Sequence, residues 1–202
     1  MIKNIHERKP KILRKVESFG FKTFDSGDYD LNIIGLRTIQ GRIDNQFDDF
    51  IYIVYRLGDV WVEEYGEATT DPGRYWLEKP DYKPCAVYVH PQQARGAYEI
   101  GYHRGKQGYE ALCQRKPVLF WRDGNKDSHV DYNSSVAYND TIGLNLHHAT
   151  SKEGGSVYVD KWSAGCQVWK HASDHKRMIE LCKLQIQKRG WKKFTYTLIT
   201  DE

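Results

Sequence analysis

Asp49-Phe50-Ile51-Tyr52-Ile53-Val54-Tyr55-Arg56-Leu57-Gly58-Asp59-Val60-Trp61-Val62-Glu63-Glu64-Tyr65 is the stretch that decides the fold class. Ile51, Ile53 and Tyr55 alternate with Tyr52, Val54 and Arg56, so Asp49 to Leu57 reads as a strand covered on both faces. Gly58-Asp59 is a turn, and Val60 to Tyr65 is the hairpin partner. Working outward, Leu31 to Leu36, Ala86 to His90, Tyr98 to Tyr102, Val118 to Trp121 and Ile142 to His147 are further short strands, and Val130 to Tyr132 begins another. Turn residues punctuate them at Asp71-Pro72-Gly73, Lys79-Pro80, Gly105 to Gly108 and Asp123-Gly124-Asn125. Two helices complete the pattern. Residues 10–19 place Ile12, Val16 and Phe19 on one face, with Pro10 in the first turn and Gly20 as the break. The later helix is capped by Ser173, carries Met178, Ile179, Cys182 and Ile186 at helical spacing, and stops at Gly190 before a closing strand, Phe194 to Ile199. The expected architecture is mostly β (α+β): a basic helical appendage over 1–28, then one domain over 29–202 ending in a helix and a strand. No internal repeat, low-complexity segment or linker interrupts it.

Composition narrows the function classes. A chain of 202 residues can bury a sizeable core without disulfides. Aromatic residues reach 13%, which suits a β-rich core and also a groove that grips a flat or sugar-like ligand. The net charge is only +3 with both signs interspersed, which argues against a dedicated nucleic-acid partner. The basic run Lys9 to Lys15 fits a solvated helix face as well as it fits a polyanion partner. No stretch approaches a membrane span, and Met1 to Phe21 holds no apolar run of the signal-peptide kind. The expectation is synthesis in the cytoplasm, with outside help needed to reach a cell wall. Cys85, Cys113, Cys166 and Cys182 are widely spaced, so neither a disulfide framework nor a zinc knuckle is indicated.

The chemistry concentrates in two segments, Asn145-Leu146-His147-His148-Ala149 and Trp162-Ser163-Ala164-Gly165-Cys166-Gln167-Val168. A free thiol is mostly protonated at neutral pH, and an imidazole within hydrogen-bond reach can take that proton and return one to a leaving amine. Gly165 permits a tight turn and can aim the N–H groups of Gly165 and Cys166 at a developing oxyanion. Ser163 can hold the loop by a cross-loop hydrogen bond. Strand alternation sends His147 and His148 to opposite faces, so only one of them can serve Cys166.

These segments resemble the catalytic signature of the L,D-transpeptidase (YkuD-like) family, in which a histidine precedes a Ser/Thr-x-Gly-Cys motif by a loop of this length. Fifteen residues separate His147 from Ser163 here. Ala68-Thr69-Thr70-Asp71-Pro72-Gly73-Arg74-Tyr75-Trp76-Leu77 is similar to that family's Thr-Pro-x-Gly-x-Phe/Tyr strand opening. The resemblance covers about residues 60–170. It implies a mixed β-sandwich or barrel and a thioester on Cys166, with His147 as the serving histidine, oriented by a backbone carbonyl. It implies no cofactor, and peptidoglycan stem peptides as substrate, met by Tyr102, His103, Arg104, His148, Trp162 and Ala164. Two departures stand out. Ala164 and Val168 occupy positions where the family usually carries His and Arg, and Arg104 could replace the second charge. Without a signal peptide, a lytic enzyme of a phage or mobile element, freed by a holin-type release partner, is the expected setting.

Other readings stay open. A binding module or virion protein could keep the fold without turnover. A zinc hydrolase could use Cys166, His171 and His175 in a C-x4-H-x3-H spacing. Asp123, Asn125, Asp127 and Asp131 resemble the start of a calcium loop, but Ser128 stands where the loop needs glycine and Ser134 where it needs an acid.

Overall fold

The computed structural model describes residues 1–79, 84–132 and 136–202. Pro80 of the expected Lys79-Pro80 turn and Ser134 lie outside the described residues. The fold is mostly β, a closed eight-stranded barrel with a C-terminal helix and strand, in agreement with the expected class.

The hairpin is its first half-turn. β3 (Asp49–Leu57) and β4 (Val60–Thr69) pair antiparallel from Asp49↔Ala68 to Leu57↔Val60, across Gly58 at φ +59°. β2 (Asn32–Arg37) continues the sheet beyond β3, and the closing strand β12 (Phe194–Thr200) lies parallel to β2. Beyond β12 come β6 (Gln92–His103), β7 (Tyr109–Gln114), β10 (Leu146–Thr150) and β11 (Gln167–His171). β11 returns to the end of β4 through Val168↔Thr69 and Trp169↔Ala68, which closes the barrel. A separate three-stranded sheet holds β5 (Cys85–Tyr88), β8 (Val118–Asp123) and β9 (Tyr138–Asp140).

Burial follows the pattern of the hairpin. Ile51, Ile53 and Tyr55 enter the main core with Tyr98, Trp169 and Leu198, and helix α3 (Ala172–Arg189) packs on it through Met178, Ile179, Leu181 and Cys182. Val54, on the alternate face, joins Ile34, Trp61 and Ile199 in a second cluster. That cluster is covered by helix α1 (Lys11–Ser18), which buries Ile12, Leu13 and Val16. The segment 1–28, expected as an appendage, is therefore built into the fold. β1 (Ile2–His6) also pairs with β4 from Ile2↔Tyr65 to His6↔Trp61. Each apolar side chain so buried is worth roughly 1.5–3 kcal/mol of transfer free energy.

Three local expectations are corrected. The strand expected from Ile142 begins only at Leu146, because the N–H groups of Ile142, Gly143 and Leu144 all donate to Gln114 Oε1 rather than to a strand ladder. Val130–Tyr132 forms no strand. α3 starts one residue before Ser173, with His171 at the N-cap position and no side-chain cap. Its stop at Gly190, left-handed at φ +72°, is where the sequence puts it.

Candidate active site

Parallel strands β10 and β11 position the two key residues. Their register sets Leu146 against Gln167 and His147 against Val168. Cys166, the residue before β11, is thereby level with Asn145, and Cys166 and His147 share one face of the sheet. His148 lies on the other face. Its ring stacks on Tyr109 at 4.1 Å between centroids and borders a cleft of about 280 Å³ with His175 and Ile179.

His147 is buried, and its Nδ1–H donates to the carbonyl oxygen of His148 at 2.9 Å. That bond leaves Nε2 as the free, proton-accepting nitrogen. The hydroxyl of Tyr109 donates to the same carbonyl at 2.9 Å. His103 stacks on His147 with ring centroids 4.0 Å apart, and Asn145 Nδ2 donates to His103 Nδ1 at 3.3 Å. Cys166 is half-buried, and its thiol donates to the carbonyl of Gly143 at 3.4 Å rather than to His147.

The charge state follows from burial. Burial pushes the Cys166 thiol up to about 11, against the pull of the Asn145 backbone N–H. Burial also pushes His147 down to about 3, with His103 adding to the shift. The resting pair is thus a neutral thiol and a neutral imidazole. No thiolate is preformed in this state, so any attack by the sulfur requires its proton to leave during the step.

The turn before the nucleophile is locked from several sides. Ser163, fully buried, donates from Oγ to the carbonyl of Cys166 at 2.8 Å and accepts the N–H of Gly165 at 3.1 Å. Ala86 N donates to the carbonyl of Ala164 at 3.1 Å. Gly165 sits at φ +130°, and a Cβ there would lie 2.2 Å from the carbonyl oxygen of Ala86, so only glycine fits. Of the two N–H groups expected to face an oxyanion, that of Gly165 is taken by Ser163, while that of Cys166 has no acceptor among the described residues. The segment 68–77 meets the same turn, Gly73 N donating to the carbonyl of Ser163 at 2.8 Å. It is not a strand opening. β4 ends at Thr69, and Gly73 leads into a short helix, α2 (Arg74–Glu78).

The remaining candidates are distributed unevenly. Trp162 packs beside Cys166 on a cluster of Phe47, Ala149, Val159 and Val168. Val168 is wholly buried in that cluster, so its position has no room for an arginine reaching solvent. Ala164 is exposed at the turn, and Tyr102 is exposed on the strand face opposite His103. Arg104 follows β6 in a left-handed conformation at φ +63°, and its charge helps to lower His103. Tyr109 escaped the sequence reading altogether, since Tyr109–Gln114 carries no clear alternation to mark it as a strand.

Neither metal reading gathers its ligands. His171 ends β11 with Nε2 3.4 Å from Glu67 Oε2, whereas His175 lies on α3 against Tyr109, so the two share no helix face. Asn125 Nδ2 donates to Asp127 and Asp131, each at 2.8 Å, so it presents a hydrogen donor between the two carboxylates. Among the described residues no group of three or more His, Cys, Asp or Glu is arranged to hold a metal ion.

The buried histidines are expected to make the protein acid-sensitive. Burial holds His147 and His175 at about 3 and His90 at about 4, below the ordinary 6.5. Above 6.5 both folded and unfolded chains carry them neutral. As pH falls below 6.5 the unfolded chain gains protons that the folded chain refuses, so stability is lost. Asp49, pushed up to about 7, and Asp48 and Asp123, also raised by burial, act in the opposite sense and offset part of the loss. The unfolding free energy is expected to drop by about 2–3 kcal/mol between pH 6.5 and 5. Urea denaturation across that range checks it, and a flat profile would contradict the buried neutral histidines.

No protein-family model, curated protein or solved structure matches this chain.

Proposed function

We propose that the chain is a cysteine-nucleophile acyl-transfer enzyme acting on peptidoglycan stem peptides, as a transpeptidase or a peptidase. The observation that carries this reading is the arrangement of Cys166, on a glycine-bearing turn, and the buried neutral His147, its tautomer set by a backbone carbonyl, on one sheet face. In the reaction, His147 Nε2 takes the thiol proton as the sulfur attacks a peptide carbonyl, and the developing oxyanion meets the N–H of Cys166. Collapse breaks the C–N bond, the amine leaves with the proton from His147, and a thioester remains on Cys166. Water or a second amine then resolves it, giving a hydrolase or a transpeptidase. Access to the wall would come through a holin-type release partner.

The test is digestion of purified peptidoglycan by the wild type and by Cys166→Ala, with muropeptides read by mass spectrometry. New cleaved or exchanged muropeptides are expected from the wild type, with the rate reduced by about 10⁴-fold or more in the variant. Equal products from both would remove Cys166 from the mechanism.

A second reading, a wall-binding or virion module without turnover, is favoured by the raised thiol pKa and by Ala164 and Val168 at the two departed positions. It predicts binding to the same walls with no new muropeptides from any chemotype.

A further inference from the structure

The Gly165–Cys166 peptide is held by its carbonyl end. Gln167, fully buried, donates from Nε2 to the carbonyl of Gly165 at 3.2 Å and to the carbonyl of Thr70 at 3.4 Å. Both partners are carbonyl oxygens, which fixes the amide orientation with nitrogen on that side. On the other side, Tyr196 donates its hydroxyl to Gln167 Oε1 at 2.7 Å. Thr70 is pinned in turn, its carbonyl accepting from Arg37 Nη2 at 2.8 Å. A trans peptide points its N–H opposite to its carbonyl. With the Gly165 carbonyl drawn toward the buried amide, the N–H of Cys166 must point away from it. That N–H is also the one polar group of the Gly165–Cys166 backbone without a partner among the described residues, since Gly165 N and the Cys166 carbonyl are both bonded to Ser163 Oγ.

We infer that Gln167, buttressed by Tyr196 and Thr70, is a positioning residue that aims the Cys166 N–H as the oxyanion donor of the acyl-transfer site. The inference rests on the acyl-transfer reading above. Gln167 touches no reacting atom, and it acts only by fixing the peptide that carries the donor. The consequence is selective. A reaction that builds negative charge on a carbonyl oxygen depends on Gln167, whereas a displacement at a saturated carbon by the same thiol does not.

Two probes separate these cases in the full chain. With p-nitrophenyl acetate, the Cys166 sulfur bonds to the carbonyl carbon, the carbonyl oxygen carries the charge, and the C–O bond breaks to release p-nitrophenolate and leave an acetyl thioester. With iodoacetamide, the sulfur displaces iodide from a CH₂ carbon and no oxyanion forms. Rates are taken after subtracting those of Cys166→Ala. Gln167→Leu is expected to slow acylation by about 10- to 100-fold while alkylation stays within about twofold. Tyr196→Phe, which keeps both Nε2 contacts and removes only the buttress, should slow acylation by about 3- to 10-fold with the same selectivity. If Gln167→Leu does not fold, Tyr196→Phe decides by the same ratio. Acylation and alkylation falling together, or neither falling, overturns the role of Gln167. A wild type that acylates no faster than Cys166→Ala overturns the acyl-transfer reading, and this inference with it.

Discussion

Arg37→Leu is expected to lower the unfolding free energy by about 3–5 kcal/mol, because it removes a fully enclosed cation from an ion pair and a hydrogen-bond network. The Arg37 guanidinium has no solvent exposure and serves the hydroxyl and carbonyl of Thr70, the carbonyl of Tyr88, and His90, while Nη2 lies 3.1 Å from Asp71. Removing it takes the guanidinium donor from the carbonyl of Tyr88, leaves the carbonyl of Thr70 with only the longer bond from Gln167 Nε2 at 3.4 Å, and strips a carboxylate of its cation. Leucine fills the space yet satisfies none of them. For a domain of this size the loss corresponds to a fall in Tm of about 6–20 °C. Thermal and urea denaturation at pH 7 check it, and a change below about 1 kcal/mol would mean that water replaces the guanidinium without cost.

Gly165→Ala carries the second large effect, and it falls on stability and chemistry together. The added Cβ would overlap the Ala86 carbonyl at 2.2 Å, and at φ +130° no L side chain is comfortable. The obstacle is backbone, so no rotamer change relieves it. Either β5 moves or the turn does, and each movement breaks the Ala86 N to Ala164 O bond. A destabilisation of about 2–4 kcal/mol is expected, of which about 1–3 comes from backbone strain. Displacement of Cys166 should cost a further factor of about 10² in acylation by p-nitrophenyl acetate. Denaturation and acylation rates measured on one preparation test both parts. Wild-type values in either would show that the turn is less confined than its contacts require.

Much of the fold is legible in the chain because strand and helix signals are local. The alternation in Asp49–Leu57, the Gly58-Asp59 turn and the helix stop at Gly190 each depend on a few neighbouring residues, and each stands where local chemistry puts it. The candidate nucleophile and its histidine are legible for the same reason, since Gly165-Cys166 and the strand-ending His147 are short patterns. Where the readings fail, a distant residue intervenes. Gln114 captures three amides and delays β10 to Leu146. α1 looks like an appendage because it is short and its exposed face is charged, and only the apolar surface of Val54, Ile34 and Trp61 makes it part of the structure, while β1 joins through its ladder with β4.

The sequence by itself therefore determined a mostly-β chain with a C-terminal helix and strand and a histidine and cysteine worth testing. Tertiary structure alone decided how they are arranged. The parallel pairing of β10 with β11 sets His147 and Cys166 on one face, β7 brings Tyr109 to the His148 carbonyl, and β12 and β4 bring Tyr196 and Thr70 to Gln167. Strand periodicity is a property of adjacent residues, whereas the choice of partner strand depends on burying all of the apolar faces at once.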